Sequence, residues 1–117
     1  MESNRKPKRE EVELIDFLIK RSLKKISSDW KEKITVQPMN DGRMGSLVIC
    51  TNDKKEQNQR FGEQISEYHF TDKDGIDVIV SLNVDNNGNL FELDIWKTDF
   101  SPLIEFPKVI DICPDTP

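Results

Sequence analysis

The chain has 117 residues, 33% charged and 35% hydrophobic, a length that fits one soluble domain but not two. Its 17 basic and 22 acidic residues give a net charge of −5, which argues against generic binding to nucleic acids or anionic membranes, because both require a basic surface. No apolar run approaches the roughly 18 residues of a membrane span, and the charged N-terminus does not resemble a signal peptide, so we expect a cytoplasmic protein.

The first ordered element is predicted to be a helix over residues 10–27. Apolar residues recur there at intervals of three and four, beginning with Val12, Ile15 and Ile19, and this spacing gives a helix one apolar face. We interpret the basic residues before it, within residues 1–9, as a frayed tail.

From residue 34 onward the apolar period changes to two, which predicts strands. The first two strands are residues 34–39 and 44–51. They flank Asp41-Gly42, a signal for a type I′ turn, and this closure pairs Val36 with Leu47. The polar residues 52–60 are predicted to form an exposed loop.

Two more hairpins follow in the second half of the chain. A third strand, residues 64–71, precedes Asp72-Lys73-Asp74-Gly75, which suits a type I turn closed by a left-handed glycine. The fourth and fifth strands alternate apolar and polar residues around Asn87-Gly88, another type I′ signal. The predicted cross-strand pairs are Phe70 with Val78, Tyr68 with Val80, Val84 with Phe91, Leu82 with Leu93, and Val80 with Ile95.

Three successive hairpin signals predict an antiparallel meander of about five strands over residues 34–99. We expect the helix to lie on the face that carries Val80 and Leu93, which gives a two-layer α+β fold in a single domain. Residues 100–117 are apolar but interrupted by prolines, so they are predicted to form an irregular segment that covers a surface.

The same registers predict the residues on the second face of the sheet. The rows are His69 with Ile79 and Trp96, Glu67 with Ser81 and Asp94, and Ile65 with Asn83 and Glu92. Trp96 and Ile79 are costly to leave in water, at about 25 cal/mol per Å² of apolar surface. We therefore expect either that residues 100–117 fold back over this face or that a partner or a second copy of the chain covers it.

The candidate catalytic residues are His69 and Glu67. His69 is the single histidine, and Glu67 lies two residues away on the same predicted face, whereas Asp94 is two strands away, about 10 Å at the usual strand spacing. A histidine and a carboxylate without an identified nucleophile indicate catalysis only weakly, so we favour a protein that is not an enzyme.

No metal or cofactor is predicted. Cys50 and Cys113 are far apart in sequence, and the chain lacks the glycine-rich phosphate-binding and dinucleotide-binding motifs. Loops that begin at Asp72 or Asp85 have neither the glycine at the sixth position nor the glutamate at the twelfth position that a calcium loop requires.

Two segments of the chain carry a family resemblance. They are ELDIWK at residues 92–97 and DFSPL at residues 99–103, and the likeness extends over most of the chain from Glu11 to Pro107. The chain resembles a family of small bacterial proteins known only as a domain of unknown function, so the resemblance implies no activity. Comparable small acidic proteins suggest an immunity or antitoxin role by analogy of fold alone.

Charge is unevenly distributed along the chain. Residues 1–61 hold 14 Lys or Arg and 10 Asp or Glu, whereas residues 62–117 hold 3 and 12. Such blocks are most often solvated surface, and binding of a basic protein is the functional alternative. The predicted binding residues are Glu67, Asp77, Ile79, Glu92, Asp94 and Trp96. A small enzyme using His69 with Glu67, and a homodimer formed through the second face, remain the other hypotheses.

Overall fold

The computed structural model describes residues 4–39, 44–51 and 60–109. In chain order the elements in these residues are α1 (Arg9–Arg21), α2 (Trp30–Lys33), β1 (Ile34–Pro38), β2 (Leu47–Thr51), β3 (Phe61–Thr71), β4 (Asp77–Asp85) and β5 (Leu90–Lys97). The strands form one antiparallel sheet, and α1 packs on one of its faces. The predicted α+β class is confirmed.

Helix α1 buries the apolar face that its spacing predicts, but it is shorter than residues 10–27. Leu14, Ile15 and Leu18 are fully buried and belong to the core formed with the sheet. The helix ends at Arg21, where Ser22 takes up extended backbone, and Leu23 beyond it is fully exposed. Ile26, also within the predicted range, packs against the core from beyond the end of α1.

The chain before α1 lies against β1. Arg5 exchanges two backbone hydrogen bonds with Val36, at 2.9 and 2.7 Å, although we interpreted this segment as a frayed tail. The Arg5 guanidinium also donates two hydrogen bonds to the Glu11 carboxylate, which accepts the Lys8 backbone N–H at 2.7 Å. Burial opposes ionisation of Glu11, but these donors outweigh it and lower its pKa. These contacts join the start of the helix to the edge of the sheet.

The order of strands across the sheet is β1-β2-β5-β4-β3. Strands β3, β4 and β5 form a meander, but β2 pairs with β5, so the prediction of one continuous five-strand meander is wrong. Strands β2 and β3, which are consecutive in the chain, are therefore separated in the sheet by β5 and β4. Pairing with β5 places Leu47 opposite Leu93, so the apolar side chains of both hairpins form one core.

The β1–β2 hairpin differs in register from the prediction. Val36 lies opposite Ile49, and Leu47 lies opposite Pro38, which is a shift of two residues. Each side chain keeps its predicted face, because the period of a strand is also two residues. The shift reflects a connection longer than a two-residue turn, in which Met39 N–H donates to the Ser46 carbonyl. The predicted turn at Asp41-Gly42 lies outside the described residues.

Most predicted pairs of β3, β4 and β5 are confirmed. They are Phe70 with Val78, Tyr68 with Val80, Leu82 with Leu93, and Val80 with Ile95. The pair of Val84 with Phe91 is wrong, because Val84 lies opposite Leu90. Gly88 alone has positive φ in this turn and donates to the Asp85 carbonyl, so the loop has three residues, and a bulge at Asn83 restores the register.

The described part of the C-terminal segment, residues 98–109, contains no strand and no α-helix. Leu103 and Phe106 pack against the core, and both come close to Gly45 next to Ile95. This segment therefore covers the end of the same sheet face that α1 covers, and the opposite face is left to the strands' own side chains.

Candidate functional site

The sheet face opposite α1, which we call the open face, contains all six predicted binding residues. His69, Ile79 and Trp96 form one row across β3, β4 and β5, as predicted. Glu67, Ser81 and Asp94 form the next row, also as predicted. In the third row Gln64 replaces Ile65 opposite Asn83, because a bulge in β3 shifts the register there. The hairpin registers thus bring the predicted residues together on one surface.

The aspartate, glutamate, lysine and arginine residues that the strands place on the open face are all acidic. Glu67, Asp77, Glu92 and Asp94 lie on it, and cross-strand spacing places Glu67 and Asp94 about 10 Å apart. Lys97 is the one lysine or arginine in the five described strands, and its side chain is buried on the helix side. The four carboxylates therefore have no lysine or arginine neighbour from these strands, and His69, which contacts Glu67, is the one other basic side chain in them.

An exposed aromatic pair lies beside these carboxylates. Trp96 is 37% exposed and Phe100 is 68% exposed, and their ring centroids are 5.7 Å apart. Residues 100–109 leave Trp96 accessible, apart from this contact, so the described residues do not provide the cover that we expected from the C-terminal segment. The large apolar side chains on this face remain available for contact with a partner.

Phe100 is held out by a strained backbone. Its φ is 64°, in the left-handed region, where a bulky non-glycine residue costs roughly 1–2 kcal/mol. Phe100 N–H donates to the Lys97 carbonyl, and the Asp99 carboxylate accepts hydrogen bonds from the Ser101 side chain and backbone. The Ser101 bonds lower the pKa of Asp99. The turn that Asp99 caps fixes the direction in which Phe100 projects.

The two candidate catalytic residues meet on the open face. His69 Nε2 lies 2.9 Å from Glu67 Oε2, and Gln64 donates to the other carboxylate oxygen. The His69 contact, followed by the Gln64 contact, lowers the pKa of Glu67. Both side chains are largely exposed, and among the described residues Glu67 is the only side chain recorded within hydrogen-bond distance of the imidazole. Their geometry is that of a solvent-exposed hydrogen-bonded pair, and no hydroxyl or thiol of the described residues is recorded in contact with the imidazole.

Glu92 accepts a side-chain hydrogen bond from the neighbouring strand β4, and Asp94 accepts a longer one from Ser46, at 3.4 Å. Asn83 Nδ2 donates to Glu92 Oε1 at 2.9 Å, and Asn83 is buried between its neighbours. This bond fixes the orientation of Glu92, whereas Asp77 and Asp94 are exposed. Asp77, Asp94 and Glu67 are therefore the carboxylates exposed to a cationic side chain.

The sequence reasoning missed a buried ionic cluster on the helix side. Lys97 Nζ donates to Asp72 Oδ2 and to Asp74 Oδ2, both at 2.8 Å, and the side chains of Lys97 and Asp72 have no exposed surface. Asp72 also accepts the backbone N–H groups of Ile104 and Glu105, at 2.8 and 3.1 Å. The cluster therefore joins the β3–β4 turn, β5 and the C-terminal segment.

Contacts within the ionic cluster shift the pKa values of Asp72 and Lys97. Burial opposes ionisation of Asp72, but hydrogen bonds from Ile104, Lys97 and other donors outweigh it and lower its pKa to about 2. Burial also opposes the charge of Lys97, and the two aspartates nevertheless raise its pKa. Alternation with Leu93 and Ile95 could have revealed this cluster, because it assigns Lys97 to the core face, where a lysine requires anionic partners.

The described residues contain neither a group of metal ligands nor a membrane-spanning helix. In the described ranges, no three His, Cys, Asp or Glu side chains are grouped closely enough to hold a metal ion. The helices that the structure describes are also too short and too polar to cross a membrane.

Comparison with known proteins identifies one family. A family model described as Domain of unknown function (DUF6984) matches residues 4–107, which is most of the chain. No curated protein and no solved structure matches the chain.

Proposed function

The chain belongs to the family Domain of unknown function (DUF6984), whose description names no activity, and we propose from the open face that it is a non-enzymatic domain that binds a basic protein. The observation that carries this proposal is the composition of that face. Four carboxylates surround Ile79 and the Trp96–Phe100 pair, and no lysine or arginine of the described strands lies among them.

This composition suits a protein interface for two physical reasons. Aromatic side chains supply most of the binding energy at interfaces, because a partner removes their apolar surface from water. The surrounding carboxylates speed the encounter with a basic surface and disfavour acidic partners. The strain at Phe100 supports the same proposal, since strained residues are found where projection of a side chain is needed for function.

The class of partner that suits the open face is a protein that itself binds nucleic acid. Proteins that bind nucleic acids carry a basic surface to contact phosphates, and an acidic face with exposed aromatic residues can occupy such a surface. A toxin nuclease domain is a partner of this kind, so the protein would act as an immunity or antitoxin protein does. Support for this class is charge complementarity and analogy of fold.

Charge reversal on the open face tests the proposal. Proteins retained by the immobilised wild-type chain are identified, and the affinity of the purified partner is then measured by calorimetry. Asp77→Lys combined with Asp94→Lys should weaken binding at least tenfold, and raised salt should weaken wild-type binding. Glu13→Lys combined with Glu32→Lys, on the helical side, is the matched control because it changes net charge equally.

The result that contradicts the proposal is also defined by this pair of variants. Equal affinities of the two double variants would mean that only overall charge matters and that the open face is not the binding surface. Recovery of acidic partners alone would contradict it as well.

A further inference from the structure

The two edges of the sheet differ in how they are closed. Strand β1 forms one edge, and the backbone of Arg5 pairs with Val36 there. Strand β3 forms the other edge, and among the described residues it pairs with β4 alone. An unpaired edge presents backbone donors and acceptors that can bind another extended chain.

The free backbone groups of β3 are identified by the hydrogen bonds of β4. The Asp77 carbonyl accepts from Thr98 N–H on the β5 side, so its register partner Thr71 directs its own N–H and C=O away from β4. Alternation assigns the same direction to the backbone groups of His69 and Glu67. Within the described chain, none of these N–H and C=O groups has a hydrogen-bond partner on the side of β3 that faces away from β4.

The same part of β3 is regular enough to template a strand. Bulges and register shifts, which protect edges from pairing, occur in the first half of β3, between Phe61 and Glu63 and between Gln64 and Ser66. From Ser66 to Thr71 the register with β4 is continuous. The free edge of β3 is therefore this second half.

A cleft of about 310 Å³ opens beside the free half of β3. It lies between residues 68–72 and residues 105–108, and its apolar walls include Tyr68, Phe70 and Phe106. Successive side chains of an added strand would point alternately to the helix side, where the cleft lies, and to the open face, where Glu67 and His69 lie.

We infer that the basic partner contributes an extended segment that adds to the free edge of β3 as a sixth strand, with apolar and basic side chains in alternation. This inference rests on the proposed function, because it names the way in which the basic partner is held. Apolar side chains enter the cleft, and basic side chains lie over the open face beside Glu67, where the strands supply no lysine or arginine.

A blocked eight-residue peptide that alternates lysine with valine and leucine is the probe for this inference. Two N-methylated versions have the same side chains and charge, one methylated on the amides of the lysines and the other on those of the apolar residues. Only one set of alternate amides faces β3, so one version should bind at least tenfold more weakly and the other like the parent. The peptide should also slow hydrogen exchange of the Glu67, His69 and Thr71 amides.

A protein variant tests the same hydrogen bonds from the other side. His69→Pro removes an N–H that makes no bond to β4, and edge strands accept proline at such positions. It should weaken peptide binding at least tenfold relative to the matched variant His69→Ala, which loses the same side chain but retains the N–H.

Failure of this inference is distinguishable from failure of the proposed function. Equal binding of the two methylated peptides, or no binding at millimolar peptide, would overturn strand addition. If the methylated peptides bind equally while Asp77→Lys with Asp94→Lys weakens the parent peptide, the open face binds by charge alone and the proposed function stands. Selective loss with one methylated peptide supports strand addition even if that double variant binds normally, in which case the proposed function fails.

Discussion

The ionic cluster formed by Lys97, Asp72 and Asp74 predicts a large effect from a single change of atom. Asp72→Asn keeps the size of the side chain but removes its charge, and it places an amide N–H₂ or an uncharged oxygen against Lys97 Nζ. The Ile104 and Glu105 N–H groups then compete for one remaining carbonyl oxygen. The substitution should therefore loosen the C-terminal segment as well as weaken the ion pair.

The magnitude follows from the titration of Asp72. A pKa lowered from 3.8 to about 2 corresponds to about 2 kcal/mol of stabilisation of the folded protein by the ionised carboxylate. Loss of one member of a buried ion pair generally costs about 3–5 kcal/mol, because the other charge is left uncompensated. Lys97 retains Asp74 in the variant, so we expect a loss of about 2–3 kcal/mol at neutral pH, or roughly 10 °C in melting temperature.

The same titration predicts the dependence on pH. Because the pKa of Asp72 is lower in the folded chain, its contribution is complete above about pH 5 and is lost as the pH falls through 3.8 toward 2. The difference in stability between wild type and Asp72→Asn should therefore shrink over that range. The raised pKa of Lys97 acts at the opposite end, and its contribution is present below about pH 10 and lost as the pH rises further.

Urea unfolding monitored through the buried Trp30 measures these differences. Asp94→Asn is the matched control, because it neutralises an exposed carboxylate and should change stability by no more than about 0.5 kcal/mol. Hydrogen exchange of the Ile104 and Glu105 amides should be faster in Asp72→Asn than in wild type. Equal unfolding midpoints for Asp72→Asn and the control, or a difference that is the same at pH 7 and pH 2, would refute the reasoning.

Two further predictions concern α1 and the strained turn. Leu14→Ala should destabilise the fold by about 2–5 kcal/mol because Leu14 is fully buried. Leu23→Ala, at a fully exposed leucine, is the control and should change the stability by less than about 0.5 kcal/mol. Similar urea midpoints for both variants would mean that α1 does not pack as described. Phe100→Gly should relieve the left-handed strain and stabilise the fold by about 1 kcal/mol while weakening binding of the basic partner, because it removes the ring beside Trp96. Unchanged partner affinity in calorimetry would show that the projecting ring has no part in binding.

The sequence predicted the sheet best where hydrogen-bonding partners are close in the chain. Between β3, β4 and β5 the turns are three residues long or little more, so turn chemistry and alternation suffice to align His69 with Ile79 and Trp96. Two pairs among these strands were misplaced. Ile65 with Asn83 was displaced by a bulge in β3. Val84 with Phe91 was misplaced because the turn at Asn87-Gly88 has positive φ at Gly88 alone, whereas the predicted type I′ turn requires positive φ at both central residues. Both turns use the same residues, so local sequence does not separate them.

Turn residues and alternation could not predict the pairing of β2 with β5. Leu47 and Leu93 are distant in sequence, and no local signal distinguishes their pairing from a pairing of β2 with β3. The choice depends on which arrangement buries both hairpins against α1, and that is a property of the whole core. For the same reason the sequence did not show which edge of the sheet β3 would occupy.

The candidate site shows the same division. Alternation placed Asp94 and Trp96 on one face of β5, and the hairpin registers placed Glu67 of β3 on the same face, because alternation and turn residues are both local properties. Whether that face is covered depends on where residues 100–109 lie. Asp72 and Lys97 hold that segment on the helix side through contacts that span 25 residues and more.

By itself, then, the sequence determined the α+β class, the two faces of each strand and the acidic character of one of them, because periodicity, turn residues and charge are local properties. The tertiary structure alone decided the strand order, the free edge at β3, the buried Lys97 cluster and the exposure of Trp96 and Phe100. These features depend on contacts between residues far apart in the chain, and such contacts form only where the whole core permits them.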